Sequence, residues 1–248
     1  MKIKEGINAT VEGDAKNAQK YKQYIINENQ FGDIHFKVSQ SKGNSFPKLS
    51  VKVRDELVSV GLGEGDVDPN QTTGKHLKPK ELHEWFKSDK EFYIVDMRNN
   101  YEIISGHFRG SLFFEDMDNF RDLPKVLPQI NHLKGKTILT VCTGGVRCEK
   151  ASGYMIKNGF ENVYQLDGGI VSYMEKYPNQ DFLGKLYVFD NRVIMGFNVE
   201  SKDHIIVGKC EICGVQSENY IDYKSKQKGR HHGIVCPDCI KKGKVIIG

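Results

Sequence analysis

The spacing of apolar residues changes character twice along the chain. Residues 3–11 read as a strand, and Gly13-Asp14 opens a helical stretch with Ala18, Tyr21 and Ile25 at helical spacing. Ile34, Phe36 and Val38 then alternate as a strand does, as do Leu49, Val51 and Val53. Three strands and one helix make a small α+β unit, a thin layer that must be completed by something else or stay marginal. Gly61-Leu62-Gly63-Glu64-Gly65 lacks the GxGxxG spacing and no helical pattern follows, so it reads as a turn. The polar, breaker-rich run Asp68-Pro69-Asn70-Gln71-Thr72-Thr73-Gly74 after it is a linker.

From about 76 to 177 helical and strand periods alternate. Lys78-Pro79 starts a helix with Leu82, Trp85 and Phe86 on one face, and residues 92–95 form a short buried-type strand. A further strand is expected at 111–114, a helical stretch within 119–133, a strand at 137–141, a helix over 149–158, a strand at 162–165, and a helix from Gly168-Gly169 to about Lys176. Such alternation predicts an α/β domain, a mostly parallel sheet covered on both faces, with ligands at the carboxyl ends of its strands. Beyond about 181, residues 185–189 and 192–197 read as strands joined through Asp190-Asn191 into a hairpin.

Composition adds little to that picture. The 248 residues, 38% hydrophobic and 27% charged, are ordinary for a soluble globular protein with one large or two to three small domains. No apolar run approaches the ~20 residues of a membrane helix, and Met1-Lys2-Ile3-Lys4-Glu5 has no signal-peptide core. A cytoplasmic protein without a membrane partner is expected; the oligomeric state is not set by sequence. The net charge of +4 permits an acidic partner without requiring one. In the N-terminal unit, Lys37, Lys42, Lys48, Lys52 and Arg54 read as an ordinary solvated face rather than a nucleic-acid surface. Four of the six cysteines form two CxxC pairs and two share one short loop, which in a reducing compartment means metal and catalysis rather than crosslinks.

That loop is Cys142-Thr143-Gly144-Gly145-Val146-Arg147-Cys148, between the strand at 137–141 and the helix expected from Glu149. Glycines let successive N–H groups point inward, and a helix N-terminus adds partial positive charge at the same spot. With Arg147 alongside, Cys142 is expected to be a reactive thiolate rather than a buried hydrophobe. The C-x4-R ring is one residue shorter than the C-x5-R loop that cradles a phosphoryl group, and suits a terminal sulfur better. Cys148 is either a resolving thiol or a residue that packs against the loop; both readings stay open.

The pairs Cys210/Cys213 and Cys236/Cys239, 22 residues apart, predict a tetrahedral four-thiolate site, which we expect to hold structural zinc rather than act as two redox dithiols. From Lys209 onward, eight Lys or Arg face four Asp or Glu. The stretch 224–232, with Lys224, Lys226, Lys228 and Arg230 after Tyr220 and Tyr223, offers phosphate-binding charge with stacking rings, or else a plain solvated loop. His231 and His232 are not needed as ligands, since four cysteines close the site.

The Cys142 loop resembles the rhodanese active loop, whose cysteine carries sulfur as a persulfide. Asp96-Met97-Arg98, Glu102, Gly106-His107 and Gly110 resemble the D-x-R…E…G-H…G signature of rhodanese domains. Asp96 and Arg98 are expected to brace the sheet and the site, and His107 to make a local hydrogen bond. The resemblance narrows when Cys142 to Ser152, Val163-Tyr164-Gln165-Leu166-Asp167-Gly168-Gly169-Ile170, Tyr187-Val188-Phe189-Asp190-Asn191-Arg192-Val193 and Glu5-Gly6-Ile7-Asn8-Ala9-Thr10 are read together. These resemble the rhodanese-containing tRNA uridine hydroxylase family and span nearly the whole chain.

The resemblance implies a partial ferredoxin-like α+β domain over 1–72, a rhodanese domain over 73–180, and a hairpin with a four-cysteine zinc module over 181–248. Family members carry about thirty residues ahead of the E-G-I-N segment, so by this likeness the chain is an N-terminally short member. The implied reaction is oxygen-dependent hydroxylation of the wobble uridine of tRNA to 5-hydroxyuridine, with Cys142 essential, tRNA as partner and molecular oxygen as co-substrate. The residues themselves show no iron-binding triad, dinucleotide fingerprint or flavin signature, so no organic cofactor is identifiable. A persulfide sulfurtransferase and a non-catalytic RNA-binding protein are the alternatives.

Overall fold

The run Thr-Ile-Leu-Thr-Val at 137–141 is β-branched or apolar throughout, and it becomes the central strand β4 (Thr137–Val141), buried from Ile138 onward. The computed structural model describes residues 5–29, 31–32, 34, 36–40, 43–225 and 229–247, without the side chains of Glu64 and Arg230. With β4 lie β1 (Lys75–Leu77), β2 (Tyr93–Asp96) and β5 (Asn162–Leu166), all parallel in the order β1-β5-β4-β2. Ile138 packs on one face with Met155, Ala151, Phe160 and Val163. Leu139 and Val141 pack on the other with Leu82, Ile170 and Tyr173. Helix α5 (Val146–Lys157) therefore covers the first face, and α2 (Pro79–Lys87) with α6 (Gly169–Lys176) the second. Between β2 and β4 come α3 (Asn100–Ile103), β3 (Gly106–Phe108) and the short α4 (Leu123–Val126), flanked by 3-10 turns within the stretch expected to be helical.

Several expectations shift. Helix α5 begins at Val146 rather than Glu149, so Arg147 and Cys148 lie in its first turn. The strand expected at 111–114 shrinks to one bridge, Leu112 against Val95, because Phe114 turns into the core and Phe113 out to solvent. Strand β1 went unforeseen, since only Leu77 of its three residues is buried and no alternation shows.

In the N-terminal unit α1 (Ala15–Asn27) forms as expected, its N-terminus capped by Asp14 accepting from Asn17 N–H, but none of its residues is buried. Among the described residues the strands expected at 3–11, 34–38 and 49–53 make no ladder; Ile3 lies outside the description. Val38 is 67% and Leu49 89% exposed, so the alternation there meets no second sheet face to pack on. Lys150 of α5 is one tie that holds this unit, its Nζ donating to Glu5 (2.8 Å), Glu56 (2.8 Å) and Asp66 (2.9 Å).

After β6 (Phe182–Gly184), antiparallel to β3, the expected hairpin forms from β7 (Leu186–Tyr187) and β8 (Ile194–Met195). Of the run 224–232, expected as a loop, residues 224–225 and 229–232 instead belong to paired strands, β9 (Tyr220–Ser225) with β10 (Gly229–Ile234). Strand β11 (Ile246–Ile247) adds to β9, and helix α7 (Pro237–Lys241) begins at the second CxxC pair. Tyr223, Val235, Val245 and three of the four cysteines form the core of this module.

Candidate active site

β4 ends at Val141 and the chain turns at once, which puts Cys142 at the carboxyl edge of the sheet, 1% exposed. Gly145, with φ of +97°, makes the turn that L side chains resist, and its N–H donates to Cys142 Sγ at 3.2 Å. A second helix start supports the loop from behind. Gly169, at φ +70°, lies so close that a Cβ there would stand 2.5 Å from Gly145 N and 2.7 Å from Cys142 O. That approach lets Ile170 N–H and Val171 N–H of α6 donate to the carbonyls of Cys142 (2.9 Å) and Thr143 (3.1 Å). The carbonyls are thus held outward and the amides inward, a pocket for negative charge on sulfur.

Burial works against a charged thiolate at Cys142. The Cys148 thiol, the Arg147 guanidinium and the N–H groups of Cys148 and Gly145 outweigh it and bring the Cys142 pKa down to about 6. Cys148, fully buried, shifts the other way: desolvation and its bond to Cys142 hold it well above the ordinary thiol range. The two sulfurs titrate as a pair, in which Cys142 is favoured as the thiolate and Cys148 as the thiol.

Arg147 is itself paired. Its Nη1 and Nη2 donate to Glu102 at 2.5 and 2.9 Å, and Thr143 Oγ1 donates to the same carboxylate at 3.3 Å. Burial would lower the Arg147 pKa, but Glu102 raises it further above its usual value. Glu102, wholly buried on α3, also accepts from Asn99 N–H at 3.0 Å. Asp96 and Arg98 are buried together, Arg98 Nη2 donating to Asp96 at 2.6 Å and to Gly106 O at 2.8 Å, which ties the end of β2 to β3. His107 departs from expectation: among the described residues its Nδ1 has no hydrogen-bond partner, and the ring stacks on Phe113, centroids 6.4 Å apart.

The sequence assigned Lys37 to a solvated face. Its Nζ instead crosses to the loop and donates to Gly144 O (2.8 Å) and Gly168 O (2.6 Å). Burial of that ammonium lowers its pKa, with Cys142 and Asp167 pulling it back up. No local pattern could have shown this, because the partners lie more than a hundred residues away. Glu102 had a signal, its place in the D-x-R…E signature, but no role to attach to it. Lys42 of the same expected face lies outside the described residues.

In the C-terminal module the sulfurs of Cys210, Cys213, Cys236 and Cys239 all lie within 4.8 Å of one another, so the four can hold a metal ion. Cys213 and Cys236 Sγ are 3.6 Å apart. The tetrahedral edge implied by a zinc–sulfur bond of about 2.3 Å is about 3.8 Å, so the donor set fits that metal. His231 bonds Glu211 (3.1 Å) and His232 bonds Asp222 (2.5 Å), away from ligand duty. Of the basic residues proposed for RNA, Lys224 is exposed on β9 opposite Arg230 in register, and Lys226 and Lys228 lie outside the described residues. Tyr220 and Tyr223, expected as stacking rings, are 6% and 0% exposed; they build the core and cannot meet a base.

Comparison with known proteins matches residues 78–176 to the rhodanese-like domain, 3–57 to the UPF0176 acylphosphatase-like domain and 183–247 to the rhodanese C-terminal domain. The tRNA uridine(34) hydroxylase of Cytophaga hutchinsonii is 40% identical over 238 residues, 96% of this chain and 74% of that one. That of Bacillus licheniformis is 43% identical over 237 residues, 94% of this chain and 71% of the relative. Among solved structures, a rhodanese-like domain protein from Staphylococcus aureus is 26% identical, covering 40% of this chain and 90% of that one, with a TM-score of 0.35.

Proposed function

This chain belongs to the tRNA uridine(34) hydroxylase family, and from that premise we propose that it hydroxylates the wobble uridine of tRNA to 5-hydroxyuridine, with Cys142 as the reacting residue. The observation that carries the reading is a buried cysteine at a strand end whose sulfur accepts from Gly145 N–H at 3.2 Å beside Arg147, an environment that draws its pKa down to about 6 and favours the thiolate. Molecular oxygen is the co-substrate by family likeness. Gly145 N–H and the Cys148 thiol hold the charge on Cys142, Glu102 orients Arg147 beside it, and Asp96 with Arg98 keeps the neighbouring strand end in place. Zinc is the metal we assign to Cys210, Cys213, Cys236 and Cys239; four thiolates leave it no open position, so its role is structural. We divide the chain at 72/73 and 180/181, supported by three matched ranges that each fall inside one part.

Nucleoside mass spectrometry of tRNA from cells lacking the gene tests this. The wild-type chain restores 5-hydroxyuridine and Cys142→Ala does not. The rhodanese-like domain also suits persulfide transfer. Vigorous thiosulfate-to-cyanide transfer, with tRNA left unmodified by the complementing wild type, would replace the hydroxylase reading by a sulfurtransferase.

A further inference from the structure

The β7–β8 hairpin carries a large apolar side chain to the rim of the Cys142 loop and leaves it uncovered. Phe189 is 63% exposed. A single exposed phenylalanine is unremarkable on its own; this one is held from several sides. Arg192 grips Asp190 through Nε (2.9 Å) and Nη2 (2.6 Å), and Asn191 donates to Ser45 O (3.1 Å) and Asn44 O (2.9 Å), pinning the turn to the N-terminal unit. Behind Phe189 the Tyr187 ring stands edge-on at 5.2 Å, itself wedged against Tyr101 and Tyr220 at 5.4 Å each. The Phe189 ring centroid lies 5.8 Å from the guanidinium of Arg147, which flanks Cys142. Lys37 also reaches the loop, with two of its three N–H donors on the carbonyls of Gly144 and of Gly168 at the start of α6.

An enzyme that works on a base must take it out of its stack, and unstacked bases are received on rigid aromatic faces with cations along the backbone. We propose that Phe189 is the stacking platform for the pyrimidine on which Cys142 acts, and that Lys37 takes the phosphate beside that nucleotide. The proposal rests on the hydroxylase reading and assigns its substrate contacts.

Fluorescence anisotropy with the full chain tests it, using an anticodon stem–loop RNA carrying uridine at position 34 and the same RNA abasic there. The wild type prefers the uridine form by about tenfold, the order expected of one stacked base. Phe189→Ala abolishes the preference and leaves affinity for the abasic RNA unchanged, while Phe189→Tyr keeps it. Lys37→Ala weakens both RNAs by the same factor and lowers the salt slope by about one. A Phe189→Ala protein that keeps the preference, or a wild type that never shows one, overturns the platform; unchanged binding by Lys37→Ala overturns the phosphate contact. The hydroxylase reading is judged apart from this: if the wild type restores 5-hydroxyuridine in cells and Phe189→Ala does so equally at limiting expression, the platform is wrong and the enzyme stands.

Discussion

At the scale of single residues the site turns on two sulfurs that titrate apart. The alkylation rate of Cys142 by iodoacetamide, followed on its peptide by mass spectrometry, should rise through a midpoint near 6. In Cys148→Ala, which lacks the thiol donor, the midpoint should move up towards the ordinary thiol value. A midpoint the same in both proteins would remove Cys148 from the machinery. Stability carries matching signs. Folding lowers the Cys142 pKa, so its contribution is full above the ordinary thiol range and is lost as pH falls through about 6. Folding raises that of Cys148, so its contribution is full below the ordinary range and is lost as pH rises beyond it. Cys142, Arg147 and Cys148 were legible because six consecutive steps of chain contain them. The role of Glu102 and the place of Lys37 were not, since they reach Arg147 and Gly144 across 45 and 107 residues. Burial, the quantity that disqualified Tyr220 and Tyr223 as stacking rings, is also a property of the folded chain and not of the local sequence.

Between elements, the Lys150 ammonium is the principal fastening. It is 2% exposed and meets carboxylates that are 11 to 29% exposed, so removing it strands several negative charges in a partly dry site. Lys150→Met should lower the free energy of unfolding by about 3 kcal/mol or more, read from the urea midpoint. If the midpoint stays put, the N-terminal unit is held by something else. Burial would raise the Glu56 pKa, but Lys150 and the N–H groups of Val60 and Gly61 lower it below its ordinary value. Glu56 therefore stabilises the attachment at neutral pH and releases it as the medium is acidified below the ordinary carboxylate range. Strands β2, β4 and β5 of the parallel sheet were legible because each is mostly buried, whereas β1 buries only Leu77 and was not. The N-terminal runs carry the same alternation, yet Leu49 and Val51 stay exposed and unladdered. A pattern predicts a strand only where a partner edge exists. The β9–β10 hairpin was missed for the opposite reason: its lysines and histidines masked a strand pairing in which only Tyr220, Tyr223, Gly233 and Ile234 face inward among those described.

Across the whole molecule, the C-terminal module acts as the mount for the hairpin. Tyr220 and Ile234 pack on Tyr187, and Tyr220 Oη donates to Tyr101 O at 2.8 Å. If the four cysteines hold a metal, stripping it with a chelator, verified by elemental analysis, should lower the melting temperature and abolish the preference for the uridine-bearing RNA. The pH midpoint of Cys142 alkylation should stay near 6, because no ligand of the metal touches that loop. A chelated protein whose RNA preference is intact would separate the module from the rim. The two CxxC pairs made the cluster legible at once, through spacing; its mechanical link to the catalytic domain was not, because it runs through aromatic rings scattered from 101 to 232. Lys150 also sets an order of events during synthesis. Glu5 leaves the ribosome 145 residues ahead of the lysine that receives it. At ordinary elongation rates that is a wait of roughly seven to thirty seconds. The segment that carries Glu5 is thus seated only well after it is made, and until then it is left to whatever attends the nascent polypeptide.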